Sequence, residues 1–66
     1  MKYSPREMEV LSHLADGLTY ASIARRMKIS LHTVDEYIRR IKKKSGSLDY
    51  YRLRLLAVNI AKPEHP

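Results

Sequence analysis

The sequence predicts an all-α fold of four short helices, from capping residues, apolar periodicity and helix-breaking residues. Apolar residues recur at steps of three and four in four segments, and three of these segments follow a Ser or Thr that can cap a helix. With 66 residues the chain is one small domain, in a size range where roughly 60% of the unfolded surface is buried on folding. We expect a single domain over residues 1–62, a loose tail over 63–66, and helices over 5–16, 19–27, 31–44 and 48–61.

The first helix has the most complete start signal. Ser4 and Glu7 form a capping box, and Pro5 occupies the first helical position. The helix is predicted to end at Asp16, because Gly17 can adopt the left-handed turn that follows a helix. Its buried stripe comprises Met8, Val10, Leu11, Leu14 and Ala15.

The second helix is short and closely followed by the third. Thr19 is its predicted cap, and only Lys28 to Ser30 separate its end from the next helix. Two helices joined by so short a link cross steeply, which is the layout of a helix-turn-helix. Ala24 suits such a crossing because its side chain is small, whereas Lys28 stands where a turn of this kind favours Gly and must accept a positive φ. The inner stripe comprises Tyr20, Ile23, Ala24 and Met27.

The third helix, predicted over residues 31–44, carries most of the charge. Ser30 is its cap, and Val34, Tyr37, Ile38 and Ile41 form an apolar stripe. The opposite face is polar, acidic in its first half and basic in its second. Such a face suits a groove of DNA, although it is also typical of plain solvated surface. It comprises His32, Asp35, Glu36, Arg39, Arg40, Lys42 and Lys43.

The fourth helix is predicted from Leu48 to Ala61, before Pro63. One stripe, of Leu53, Leu56, Ala57 and Ile60, is sufficient to close the core. A second stripe lies about 100° around the helix, more apolar surface than a lone domain of this size can bury. Association as a homodimer would cover it; the alternative is scattered apolar surface. This second stripe comprises Tyr51, Leu55 and Val58.

The net charge is +6, and the excess lies in one segment. Residues 25–46 hold eight Lys or Arg and two acidic residues. Clustered positive charge is typical of a polyanion partner, because each neutralised phosphate releases counterions. Membrane-surface binding also requires an apolar face with Trp, Phe or Leu, and the chain has neither Trp nor Phe. Nucleic acid is therefore the favoured partner.

Composition also excludes several functions. There is no Cys, and His13, His32 and His65 are too far apart in sequence to indicate a metal site. No nucleophile, base and orienting group can be assembled, and no Gly-rich phosphate loop is present, so we expect neither an enzyme nor a cofactor. No apolar run approaches the roughly 20 residues of a membrane span, and no signal-peptide pattern is seen. We expect a cytoplasmic protein without a small-molecule ligand.

Short motifs follow one another in a specific order between Tyr3 and Gly46. They are Ser4-Pro5-Arg6-Glu7, Val10-Leu11, Gly17-Leu18-Thr19, Ile23-Ala24, Ile29-Ser30, Thr33-Val34, Ile41, Lys44 and Gly46. This ordered spacing resembles the DNA-binding domain of the LuxR, FixJ and GerE family of bacterial transcription regulators. The resemblance implies a four-helix domain whose third helix reads the major groove and whose fourth helix dimerises.

Acidic residues on the third helix depart from the family pattern, which often has basic or small residues at Asp35 and Glu36. Either these carboxylates accept hydrogen bonds from cytosine N4, or they pair with Arg39 and Arg40. Arg39 aligns with a base-reading position of the family, and its guanidinium can donate two hydrogen bonds to guanine O6 and N7. Hydroxyls near helix starts, with Arg40 and Lys42 to Lys44, are candidates for phosphate. The DNA-binding candidates are Thr19, Tyr20, Ser30, His32, Thr33, Asp35, Glu36, Arg39, Arg40 and Lys43.

Three hypotheses follow for the function. The first is a sequence-specific transcription regulator that binds an inverted repeat as a homodimer. The second is region four of a sigma factor, which has a similar first half but fits Gly46 and the apolar fourth helix poorly. The third is a protein-interaction module that heterodimerises with a related regulator and inhibits it, for which the acidic pair and the second stripe of the fourth helix are the grounds.

Overall fold

The computed structural model describes residues 2–62, and these form four helices and no strand. The all-α prediction is confirmed. The expected tail over 63–66, with the stop at Pro63, lies outside the described residues. The helices are α1 (Pro5–Ala15), α2 (Tyr20–Met27), α3 (Leu31–Ser45) and α4 (Tyr50–Ala61).

The first three helices begin at the predicted caps. The Glu7 N–H donates to Ser4 Oγ over 3.2 Å, while the Ser4 N–H donates to Glu7 Oε1 over 2.9 Å. The side-chain oxygens of Thr19 and Ser30 each accept from the N–H three residues on, at 3.1 Å. These bonds satisfy N–H groups that have no partner within the helix, so each start is fixed by local chemistry.

The fourth helix begins two residues later than predicted, at Tyr50 instead of Leu48. Asp49 is its N-cap, and its carboxylate accepts from the N–H three residues on at 2.8 Å. Before it, Gly46 and Ser47 both have left-handed backbone, with φ of 92° and 57°. Two consecutive left-handed residues carry the chain away from the axis of α3, so the new helix cannot start at once.

The core is built from the predicted apolar stripes, with α1 packed mainly against α4 and also against α2 and α3. Leu53 and Ala57 of α4 are fully buried, whereas Leu56 and Ile60 lie partly buried at its edge. This arrangement leaves α3 in contact with its neighbours through one side alone. The core side chains with no exposed surface are Val10, Leu11, Leu14, Ile23, Val34, Ile41, Leu53 and Ala57.

The turn between α2 and α3 has the strain that the sequence predicts. Lys28 adopts φ 58° and ψ 44°, the left-handed conformation that glycine would adopt more readily. The Ile29 N–H donates to the Ala24 carbonyl over 3.0 Å and closes the end of α2. Ala24 is buried, as expected where two backbones approach closely. The helix-turn-helix is therefore formed, and the left-handed backbone at Lys28 lowers its stability.

Candidate nucleic-acid interface

Helix α3 exposes one continuous face. Val34, Ile38 and Ile41 are buried in the core, so the residues half a turn away face solvent. Fifteen residues give a rod of about 22 Å, and an α-helix with its side chains fits the major groove, which is about 12 Å wide. The exposed residues on and beside this face are His32, Asp35, Arg39, Arg40 and Lys43, with Glu36 half-buried among them.

The C-terminal end of α3 is fastened to the start of α1. Lys44 Nζ donates to Glu7 Oε1 over 2.5 Å, and the hydroxyls of Tyr3 and Ser45 are 2.5 Å apart. Burial alone would raise the pKa of Glu7, but the bonds from Lys44 and the Ser4 N–H reverse this effect and hold its pKa below the usual value. Lys44, a sequence-based candidate for phosphate, thus has Glu7 as an internal partner, and its contact with phosphate remains a prediction. These contacts fix the direction of α3 relative to α1.

The acidic residues of α3 do not pair with Arg39 or Arg40. Glu36 Oε1 instead lies 3.1 Å from His32 Nε2, one turn earlier. Within residues 2–62, Asp35 makes no ion pair. The predicted pairing is thus wrong, and the i−4 neighbour of Glu36 competes successfully with its i+4 neighbour.

Asp35 lies near the start of α2. Its carboxylate is close enough to Tyr20 that, after burial and the nearby Tyr50, it helps to raise the pKa of Tyr20. The rings of Tyr20 and Tyr50 are 5.9 Å apart. The hydroxyl of Tyr20, protonated at neutral pH like that of any tyrosine, can donate a hydrogen bond to an anionic oxygen. No local sequence pattern associates Tyr50, 30 positions away, with Tyr20.

Two cations of the exposed face have no partner in the described part of the chain. Neither Arg39 nor Lys43 makes a side-chain hydrogen bond or an ion pair there. Arg40 differs, because its guanidinium lies 5.7 Å from the centre of the Tyr37 ring. Arg39 and Lys43 are therefore available to an external anion, with no internal contact to break.

The hydroxyls near the helix starts already have internal partners. Thr19 Oγ1 also donates to Ser22 Oγ over 3.1 Å, and the hydroxyls of Ser30 and Thr33 are 2.9 Å apart. Thr19 and Ser30 are exposed, and Thr33 is half-buried. Capping is therefore shown for Thr19 and Ser30, and contact with phosphate remains a prediction for all three.

The sequence model of the GerE family, described as bacterial regulatory proteins of the LuxR family, matches residues 1–46. The chain belongs to this family. The matched segment contains α1, α2 and the whole of α3, which are the elements that form and position the exposed face. Among curated proteins and among solved structures, none matches the chain significantly. The LuxR-family domain is thus a DNA-binding regulatory domain of helix-turn-helix type.

Beyond the matched segment, the LuxR-family domain exposes the second stripe of α4. Tyr51 is 71% exposed and Leu55 is 48% exposed, while Val58 is half-buried. With Arg54 they line a shallow depression of about 170 Å³. The structure thus confirms that α4 leaves this stripe outside the core.

Residues 2–62 of the domain contain neither a membrane-spanning helix nor a cluster of metal ligands. No helix among residues 2–62 has the length and apolar character needed to cross a membrane. In the same stretch, no group of three or more His, Cys, Asp and Glu side chains could hold a metal ion.

Proposed function

We propose that the domain is a sequence-specific transcription regulator that places α3 in the major groove of duplex DNA. The observation that carries this proposal is that Arg39, on the exposed face of α3, has no ion-pair partner among residues 2–62, while the other face of α3 packs on the core. A guanidinium without internal partners can offer two parallel donors to guanine O6 and N7.

The other candidate residues divide into base contacts and backbone contacts. His32, Asp35 and Glu36 share the exposed side of α3 with Arg39, so we assign them to the base edges. Residues around this face are assigned to phosphates, since phosphate contacts position a protein and base contacts specify its site. These backbone candidates are Thr19, Tyr20, Ser30, Thr33, Arg40 and Lys43.

We further propose that the domain, taken as residues 1–62, binds as a homodimer through α4. A symmetric contact between two copies of Tyr51, Leu55 and Val58 would bury the stripe that the core leaves exposed. Two copies of α3 would then be presented to half-sites about one helical turn apart, which corresponds to an inverted repeat. The support is the exposure of Tyr51 and Leu55 together on one side of α4.

A second candidate function is a protein-interaction module that heterodimerises with a related regulator and blocks it. Asp35 favours this alternative, because a carboxylate without an ion-pair partner in the described chain repels phosphate. The exposed α4 stripe serves both functions equally well. DNA binding by the purified chain therefore distinguishes the two proposals.

The test is selection of bound duplexes from a random library, followed by titration over a range of salt concentrations. We expect a recovered motif with two-fold symmetry and a log–log salt slope of about −5, for about six neutralised phosphates. Failure to bind any duplex at low salt would refute the first function and favour the second. A motif without symmetry would refute the homodimer and retain the DNA-binding function.

A further inference from the structure

Helix α3 begins with an apolar side chain that lies outside the core. Leu31 is 49% exposed, although it directly follows the Ser30 cap. Among the described residues, the other large apolar side chains with comparable exposure are Tyr50, Tyr51 and Leu55, all on α4. Leu31 thus stands apart from the α4 stripe, at the start of the helix that the proposed function places in DNA.

Leu31 and Asp35 form one strip along α3. They are one helical turn apart, a spacing that brings their Cβ atoms within about 6 Å of each other. Asp35 is exposed and makes no ion pair with any residue in 2–62. An alkyl group gains nothing from a phosphate, and a carboxylate is repelled by it. If α3 lies in the groove, this strip is therefore stabilised against base edges and not against the backbone.

The major groove offers a complementary group to each of these side chains. The thymine 5-methyl group is the apolar feature of the groove, and the cytosine N4 amine is a donor that suits a carboxylate. Both groups belong to pyrimidines. N-terminal residues of a recognition helix are the ones that contact base edges, and Leu31 and Asp35 lie in the first two turns.

We infer that Leu31 is a specificity-determining residue that packs on the methyl group of a thymine, next to a cytosine bound by Asp35. The half-site then contains a thymine and a cytosine at neighbouring positions. This inference rests on the proposed function, since it requires α3 to lie in the major groove. It goes further by naming the base chemistry that the first two turns of α3 recognise.

The experiment uses the selected duplex and replaces its thymines one at a time by deoxyuridine. This change removes one methyl group and leaves base pairing intact. The wild-type chain should bind one of these duplexes about fourfold more weakly, the effect of losing one buried methyl contact. Leu31→Ala should bind that duplex and its thymine parent equally well, because the partner of the methyl group is gone.

Three further variants serve as controls and as a second test. Arg52→Ala removes an exposed side chain from α4 that belongs to neither proposed interface, and it should keep the fourfold ratio. Leu31→Gln keeps a side chain of similar length, and glutamine is a good helix former. It replaces Leu31→Ala if circular dichroism shows that Leu31→Ala is unfolded. Asp35→Asn should change the preferred base from cytosine towards adenine, which asparagine reads.

The outcomes separate this inference from the proposed function. Wild-type binding that is insensitive to every thymine replacement would overturn the role of Leu31, while DNA binding itself would stand. Retention of the fourfold ratio by Leu31→Ala or Leu31→Gln would assign the methyl contact to another residue and overturn it equally. If the wild-type chain binds no duplex at low salt, the proposed function and the inference are both refuted.

Discussion

Replacement of Glu7 by glutamine tests how α3 is held in place. Glu7 is 3% exposed, and its Oε1 accepts from Lys44 Nζ at 2.5 Å and from the Ser4 N–H at 2.9 Å. Glutamine has nearly the same size and keeps an acceptor for the Ser4 N–H. The variant therefore removes the negative charge opposite Lys44 and leaves the packing and the cap in place.

The expected loss follows from the strength of that one bond. A hydrogen bond to a charged group contributes about 1.5–3 kcal/mol and a neutral one about 0.5–1.5 kcal/mol. Lys44 is 36% exposed, so its ammonium keeps part of its hydration in the variant. We expect Glu7→Gln to lower the free energy of unfolding by about 1–2 kcal/mol. A domain of this size has roughly 3–10 kcal/mol in total, and each kcal/mol lowers Tm by roughly 4–8 °C.

The assay is urea and thermal unfolding followed by circular dichroism between about pH 3 and pH 7. Because the folded-state pKa of Glu7 is lowered, its ionised form stabilises the fold above the unfolded-state pKa of about 4.3. This contribution is lost as the pH falls through the lower folded-state value. The difference between wild type and Glu7→Gln should therefore be full at pH 7 and decrease below about pH 4.

Glu9→Gln is the matched control. Glu9 pairs with Arg6 at 3.1 Å, but both side chains are half-exposed, so the control should change stability by less than about 0.5 kcal/mol. Equal stability of Glu7→Gln and wild type at pH 7 would refute the reasoning. A difference that stays constant down to about pH 3 would also refute it, since the charge of Glu7 would then not be its source.

Four further predictions concern the turn, the exposed face and α4. Lys28→Gly should raise the free energy of unfolding, measured by urea denaturation, by about 1 kcal/mol, because Lys28 has a φ of 58° that glycine adopts more readily. A lower free energy of unfolding in the variant would contradict this prediction. Arg39→Ala should weaken binding to the selected duplex by roughly 1–3 kcal/mol and relax one base preference in a mobility-shift titration. Lys43→Ala should weaken binding to all duplexes and reduce the salt slope by about 1. Arg52→Ala, on α4, is the control for both variants. Equal losses of affinity for Arg39→Ala, Lys43→Ala and Arg52→Ala would contradict the base contact of Arg39 and the phosphate contact of Lys43. Leu55→Glu should abolish the two-protein complex on an inverted repeat in analytical ultracentrifugation, and persistence of that complex would exclude α4 as the interface.

The helices could be predicted because their signals are local. The capping box at Ser4 and the caps at Thr19 and Ser30 each involve residues three apart in sequence, and the structure contains all of them. The predicted start at Leu48 differs from the observed start because Asp49, whose residue type is a good capping signal, is the N-cap of α4. The left-handed backbone at Ser47 has no comparable signal in its residue type.

Contacts between distant residues could not be predicted in the same way. Glu7 and Lys44 are 37 positions apart, and nothing in the local pattern distinguishes Lys44 from the two lysines before it. Glu36 has a possible partner four residues away on each side, His32 and Arg40, and spacing alone does not decide between them. The exposure of Leu31 also needed the structure, because a leucine at the start of an amphipathic helix is more often part of the core.

The central claim is that the exposed face of α3 contacts bases, and NMR of the ¹⁵N-labelled chain with its selected duplex tests it most directly. We predict the largest changes at the backbone amides of His32, Asp35 and Arg39, together with a shift of the Arg39 side-chain N–H as it gains an acceptor. If the duplex is bound while these signals stay in place and changes appear on α4 alone, the recognition surface lies elsewhere and the account is wrong.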